Sequence, residues 1–245
     1  MTALAAAAVL CSADSAPQPP VVVELFTSQG CSSCPPADRW LGTLRERYGD
    51  RVIALSMHVG YWDYIGWKDP FARREFNERQ RLLATANGNR TVYTPGVFVQ
   101  GREAPDWSRA APVEAALRST QQQKAAARAT LAVLATTPTG LTVRVQGEAP
   151  AGARLWLALL QDGLSTSVKA GENRGATLRN DHVVRDWRGP FAADSVTQTL
   201  SFPADDGVRV GAAWAVVALI DDARGGTLQA VRLPLAQCAG AQSRR

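Results

Sequence analysis

The sequence predicts an α/β domain of element order βαβαββα over residues 21–128, followed by an antiparallel β-sandwich-like domain over residues 129–245. Two patterns carry this. From Val21 to Arg128, short β-branched runs alternate with segments that are apolar at helical spacing. From Thr130 onward, apolar and polar residues alternate with period two and are interrupted by Asp/Gly turns. A length of 245 residues, 46% of them hydrophobic and 20% charged, suffices for two ordinary domains with buried cores.

Residues 1–20 read as a signal peptide and leader. Ala3 to Leu10 is a short apolar run, and Cys11-Ser12-Ala13 has the small-x-small form of a cleavage site, although no positively charged segment precedes it. A lipid anchor on Cys11 ranks lower, because Leu10 is bulky for the position before a lipidated cysteine. Export to the periplasm or the medium places the cysteines in an oxidising compartment. If cleavage removes Cys11, then Cys31 and Cys34 are natural partners, and Cys238 is left as a quiet thiol near the C-terminus.

Val21–Phe26 is too short for a helix and is ended by Thr27-Ser28-Gln29-Gly30, so it reads as a strand. Ala37, Trp40, Leu41, Leu44 and Tyr48 recur at helical spacing up to Gly49. Arg51–Met57 is a second buried strand. Asp69-Pro70 has the form of an N-cap followed by proline at the first helical position, and Asn87-Gly88 closes that helix. Gly96–Val99 is a third strand, turned by Gln100-Gly101 into a short fourth, and Pro112 opens a helix running to about Arg128. That order is the thioredoxin one. Beyond it, Leu141, Val143 and Val145 mark a half-buried strand, and Arg154–Gln161 is apolar on both faces. Asp162-Gly163 reads as a two-residue hairpin turn joining that strand to Leu164–Lys169. Val196 to Phe202, Ala212–Ile220 and Thr227–Leu235 complete the sandwich.

The net charge of +5 is scattered. Its densest pairs, Arg73-Arg74 and Arg244-Arg245, lack interleaved aromatics, so no nucleic-acid partner is expected. No apolar run approaches the roughly 20 residues of a transmembrane segment. The chemistry-bearing motif is Cys31-Ser32-Ser33-Cys34. A single CxxC between a strand and a helix reads as a redox pair rather than a zinc site, which needs further ligands at regular spacing. As a structural staple it closes a very small loop and gains little. The first-turn N–H groups and the macrodipole of the following helix favour a thiolate, which lowers the pKa of an exposed cysteine there. Pro35 and Pro36 push the regular helix start to Ser33 or Cys34, leaving Cys31 in the preceding turn.

Topology directs two further segments to the same sheet edge. The strand ending at Met57 leads to His58, and an antiparallel third strand begins at Thr94-Pro95, where trans is the ordinary form but the position resembles that of the cis-proline beside CxxC in thioredoxin folds. His58 reads either as a proton shuttle or metal ligand, or as a hydrogen-bonded structural residue. The aromatic segment from His58 to Trp67, which includes Trp62 and Asp63, reads either as a substrate groove or as a cap on the domain.

The stretch Val23-Glu24-Leu25-Phe26-Thr27-Ser28-Gln29-Gly30-Cys31-Ser32-Ser33-Cys34-Pro35-Pro36-Ala37-Asp38 resembles the signature of an exported bacterial thioredoxin-like family of unknown function. So do His58 to Phe71, Val92-Tyr93-Thr94-Pro95, Gly171-Glu172-Asn173-Arg174-Gly175 and His182-Val183-Val184-Arg185. The resemblance implies a thioredoxin-like fold and an extracytoplasmic location. Unlike classical thioredoxins, the chain lacks tryptophan before the first cysteine and has Ser-Ser between the pair.

The expected function is an extracytoplasmic thiol–disulfide oxidoreductase. Cys31 and Cys34 are its catalytic pair, Thr94, Pro95, His58, Trp62 and Asp63 support substrate, and the partners are protein or small-molecule thiols and disulfides. No cofactor or resident metal is expected. Two alternatives stand beside it: a binding module stiffened by a permanent Cys31–Cys34 bridge, and a Cu(I)-handling protein using Cys31, Cys34 and His58.

Overall fold

The computed structural model describes residues 9–203 and 214–239. Most of the expected signal-peptide run, Ala212-Ala213 and Arg244-Arg245 lie outside the described residues. In chain order the elements are β1 (Cys11–Asp14), β2 (Val21–Thr27), α1 (Pro35–Tyr48), β3 (Val52–His58), α2 (Arg74–Ala86), β4 (Gly96–Val99), β5 (Arg102–Glu103) and α3 (Ala111–Gln121). They continue with β6 (Arg128–Thr137), β7 (Gly140–Glu148), β8 (Arg154–Gln161), β9 (Leu164–Ser167), β10 (Thr177–Asn180), β11 (Val183–Ala192), β12 (Ser195–Ser201), β13 (Trp214–Asp221), β14 (Thr227–Pro234) and α4 (Ala236–Ala239). Among the described residues no helix is long and apolar enough to cross a membrane.

Eight strands form one sheet in the order β14-β13-β8-β11-β3-β2-β4-β5. β2 and β3 pair in parallel, from Val21 opposite Val52 to Thr27 opposite His58, and β4 runs antiparallel to β2. β11 joins the sheet beside β3 through Val183 opposite Ser56, so the sheet continues without a break past residue 129. The Gln100-Gly101 turn has positive φ at both central residues (53° and 74°), as a tight two-residue hairpin requires. Gly101 meets the turn between β13 and β14 so closely that a Cβ there would lie 2.1 Å from the carbonyl oxygen of Gly225. The sheet therefore curls until turns from its two ends touch.

Alternation along β2 explains the layers, because successive side chains point to opposite faces. Val21, Val23 and Leu25 pack with Leu41 and Leu44 of α1 and with Val113 and Leu117 of α3. Val22 and Phe26 pack with Phe76 and Leu83 of α2, and with Trp156, Ala158 and Val217 from the far strands. A second sheet, β1-β6-β7-β12, lays Leu131, Val133, Leu141, Val143 and Val145 against Leu157, Val216 and Leu233, making a sandwich on one end of the long sheet.

Glu24 shares the face of Val22 and Phe26, where it is fully buried and paired. Arg79 of α2 donates to both of its carboxylate oxygens (2.9 and 2.8 Å) and to Asp221 Oδ2 (2.5 Å). Trp156 Nε1 also donates to Asp221 (3.1 Å), and Trp156 stacks on Trp187 with the Arg79 guanidinium 5.4 Å from its ring centre. This network ties β2, α2, β8 and β13 together.

Several expectations are corrected. Asp162-Gly163 does not make a hairpin of β8 with β9. β8 is flanked by β11 and β13, and β9 pairs with β10 in a separate two-stranded ribbon. Both edges of β8 are taken by strands longer than the four-residue β9, the ten-residue β11 and the eight-residue β13, and Asp162 Oδ1 accepts the N–H of His182 (2.7 Å), the residue before β11. Asp69 is not a helix cap, since α2 begins five residues later at Arg74. α3 stops at Gln121 rather than near Arg128, because Ala127 and Ala129 are drawn into the sandwich core. Residues 11–14, expected in a leader, form β1 against β6, and Cys238 is not a free thiol but is bonded to Cys11.

Candidate functional site

α1 begins at Pro35 with Cys34 as its N-cap and the two prolines at the first helical positions, where their missing N–H groups cost nothing. Cys31 lies in the preceding turn. Its N–H donates to Ser28 O (3.1 Å), and its own carbonyl accepts from Cys34 N–H (3.2 Å). Cys31 and Cys34 form a disulfide. The sequence pointed to an exposed attacking cysteine, but Cys31 is only 2% exposed and Cys34 0%.

A loop from further along the chain is bonded to the backbone of this turn. The ribbon of β9 and β10 carries its connecting loop over the cysteine turn. There Asn173 Nδ2 donates to Gln29 O and Cys31 O (2.9 Å each), and Glu172 Oε2 accepts the Ser32 N–H (2.9 Å). Hydrogen bonding with Ser32, by its hydroxyl first and its N–H second, holds the Glu172 carboxyl below its ordinary value. Gln29 anchors the assembly: its side-chain amide donates to Thr166 Oγ1 (3.0 Å) and Asn180 Oδ1 (3.3 Å), and its oxygen accepts from Trp67 Nε1 (3.1 Å). Gly171 sits against Trp67 and Ile65, with 3.2 Å between the Trp67 Cβ and the place a Cβ on Gly171 would take.

The other residues singled out in the sequence divide between this face and the layer beneath it. The Thr94-Pro95 peptide is cis, and Thr94 Oγ1 accepts from Trp62 Nε1 (2.7 Å). The Trp62 Cβ would lie 3.2 Å from a Cβ on Gly30, so the indole spans from the residue before Cys31 to the start of β4. Trp62 stacks on Tyr64, which is 80% exposed. Asp63 bonds within its own loop. It accepts the Asp69 N–H (3.2 Å) and so shapes the loop that delivers Asp69.

Beneath, His58 and Asp69 are fully buried with Nδ1 and Oδ2 2.7 Å apart. The same Asp69 oxygen accepts from Gln29 N–H (2.8 Å), and its other oxygen accepts from Phe71 N–H (2.9 Å). Burial works against charge on both partners, yet their mutual attraction prevails, raising the His58 pKa and lowering that of Asp69. Asp38 lies one helical turn beyond Cys34, buried, and burial pushes its carboxyl up to about 6 against the opposing pull of His58. His58 Nε2 and Asp38 Oδ1 have no hydrogen-bond partner among the described residues. Among those residues no three His, Cys, Asp or Glu side chains converge as metal ligands.

Asp38, Asp69, Glu172 and Asn173 were not picked out as site residues from the sequence. Glu172 and Asn173 carried one signal, their place in the Gly171–Gly175 stretch that resembles the family. Asp69 has the local pattern of a cap because its neighbour is proline, and in the sequence the first-turn acid Asp38 only opposes the pull of the helix N-terminus on the cysteines.

The overall fold is shared with protein AGR_C_4864 of Agrobacterium tumefaciens, at 28% identity and a TM-score of 0.62, covering 87% of this chain and 93% of that one. HBP35 of Porphyromonas gingivalis is similar in fold at 17% identity and a TM-score of 0.63, covering 90% of this chain and 76% of that one. No curated protein matches the chain. A family model described as "Protein of unknown function (DUF1223)" matches residues 22–220, and the chain belongs to that family.

Proposed function

We propose that the protein is an extracytoplasmic thiol–disulfide oxidoreductase, with residues 21–128 as a thioredoxin-like unit and Cys31–Cys34 as its redox pair. The observation that carries this reading is the disulfide at the start of α1, with Cys34 as the N-cap and an ionisable cluster of Asp38, His58 and Asp69 buried behind it. A helix N-terminus stabilises the thiolate that exchange needs. A buried carboxyl pushed up to about 6 by burial, that of Asp38, suits the proton changes that accompany opening a disulfide. Two disulfides in one chain support an oxidising location outside the cytoplasm. Thr94 and Pro95 lie at the same sheet edge, held by Trp62, as a rim for an extended substrate.

The deciding measurement is the reduction potential of the pair against a glutathione buffer, with Cys31→Ser as control. A potential well above about −300 mV, together with loss of exchange in Cys31→Ser, is expected. A second reading, a binding module with a permanent bridge, is favoured by the 2% exposure of Cys31. A potential below about −300 mV would establish it instead.

A further inference from the structure

The cover over the cysteine turn presents the polar groups of a docked polypeptide. An extended chain lying on that turn would offer N–H donors to its carbonyls and a carbonyl acceptor to its free N–H. Asn173 already supplies the donors, to Gln29 O and Cys31 O, and Glu172 supplies the acceptor, to Ser32 N–H. The loop is not loosely placed. Gln29 bonds to Thr166 and Asn180 on the two strands that carry it, and Gly171 is seated against Trp67 and Ile65.

We propose that the loop joining β9 and β10 is an internal stand-in for substrate, so that the site selects polypeptide thiols over small ones. Cys31 can be attacked only after Glu172 and Asn173 leave the turn. A polypeptide replaces their hydrogen bonds as it displaces them. A small thiol cannot, and it must wait for spontaneous opening. The proposal rests on the redox reading of Cys31–Cys34. In the step it controls, an incoming thiolate bonds to Cys31 Sγ, the Cys31–Cys34 bond breaks, and its electron pair leaves on Cys34 Sγ, which takes up a proton. A second thiolate then attacks the incoming sulfur and releases Cys31 as a thiolate. The protein pair gains two electrons, and two thiols become one disulfide.

The test mixes the full oxidised chain with glutathione or with a reduced, unfolded cysteine-containing polypeptide, and follows the new protein thiols by mass-tagged alkylation. Wild type is compared with Glu172→Gln, Asn173→Ala and the double variant, each checked for native circular dichroism. With glutathione, the double variant is expected to react on the order of 100-fold faster than wild type, since it loses the two hydrogen bonds of Asn173 and the charge that strengthens the one at Glu172. With the polypeptide, the difference should shrink to within about threefold. Should Asn173→Ala fail to fold, the isosteric Glu172→Gln keeps the test, with an expected gain of about fivefold toward glutathione. Equal glutathione rates in wild type and folded variants would overturn the stand-in role, as would an equal gain with both reagents. Failure of both reagents to open the pair in every one of these proteins overturns the redox reading instead.

Discussion

Replacing Asp38 with asparagine should change the pH dependence of stability in a direction fixed by its burial. The Asp38 carboxyl is pushed from its ordinary 3.8 up to about 6. That gap of about 2 pH units amounts to about 3 kcal/mol, at 1.36 kcal/mol per unit. The folded chain holds the proton more tightly than the unfolded one, so this contribution is complete below pH 3.8 and is lost as pH rises through about 6. Asparagine cannot ionise, and Oδ1 of the native side chain has no partner to lose. Asp38→Asn is therefore expected to match wild type near pH 3.8 and to exceed it by up to about 3 kcal/mol at pH 7. Urea unfolding of both proteins between pH 3.5 and pH 7.5, followed by tryptophan fluorescence, reads the difference directly. A gap that is the same at every pH would refute the burial argument.

Two further outcomes follow from the buried network and the long disulfide. Arg79→Met leaves Glu24 buried without its counter-charge and Asp221 with only Arg154, 3.5 Å away, and a loss of about 3–5 kcal/mol is expected in urea unfolding. A loss under about 1 kcal/mol would show that the carboxylates find other partners. The Cys11–Cys238 bridge spans 227 residues, so Cys11→Ser with Cys238→Ser should cost about 5 kcal/mol by chain entropy. Opening the three-residue Cys31–Cys34 loop should cost only about 2 kcal/mol. Thermal unfolding of the two double variants compares them, and a reversed order would show that the CxxC bridge is the structural one.

Much of the local architecture was legible. The β-branched run at Val21–Phe26, the helical spacing from Ala37 to Tyr48 and the Gln100-Gly101 turn have one local solution each. Pro35 and Pro36 placed the helix start to within a residue or two, because proline is tolerated only where no N–H is needed. The partner of β8 was not legible. Asp162-Gly163 has the chemistry of a hairpin turn, but which edge a fully apolar strand pairs with is decided by distant strands competing for it. Asp69 failed for the same reason in side-chain form, since its neighbours suggest a cap while its partners His58 and Gln29 lie 11 and 40 residues away.

The cysteine pair and its place at the start of a helix are properties of the sequence alone, since strand, turn, CxxC and proline are consecutive and each constrains the next. Only the tertiary structure decided that the pair is covered. The loop that shields Cys31 comes from some 140 residues further along the chain. It is held there by single hydrogen bonds to backbone groups, and those leave no periodicity or composition to read, because a lone asparagine or glutamate looks the same on an open surface as over a disulfide.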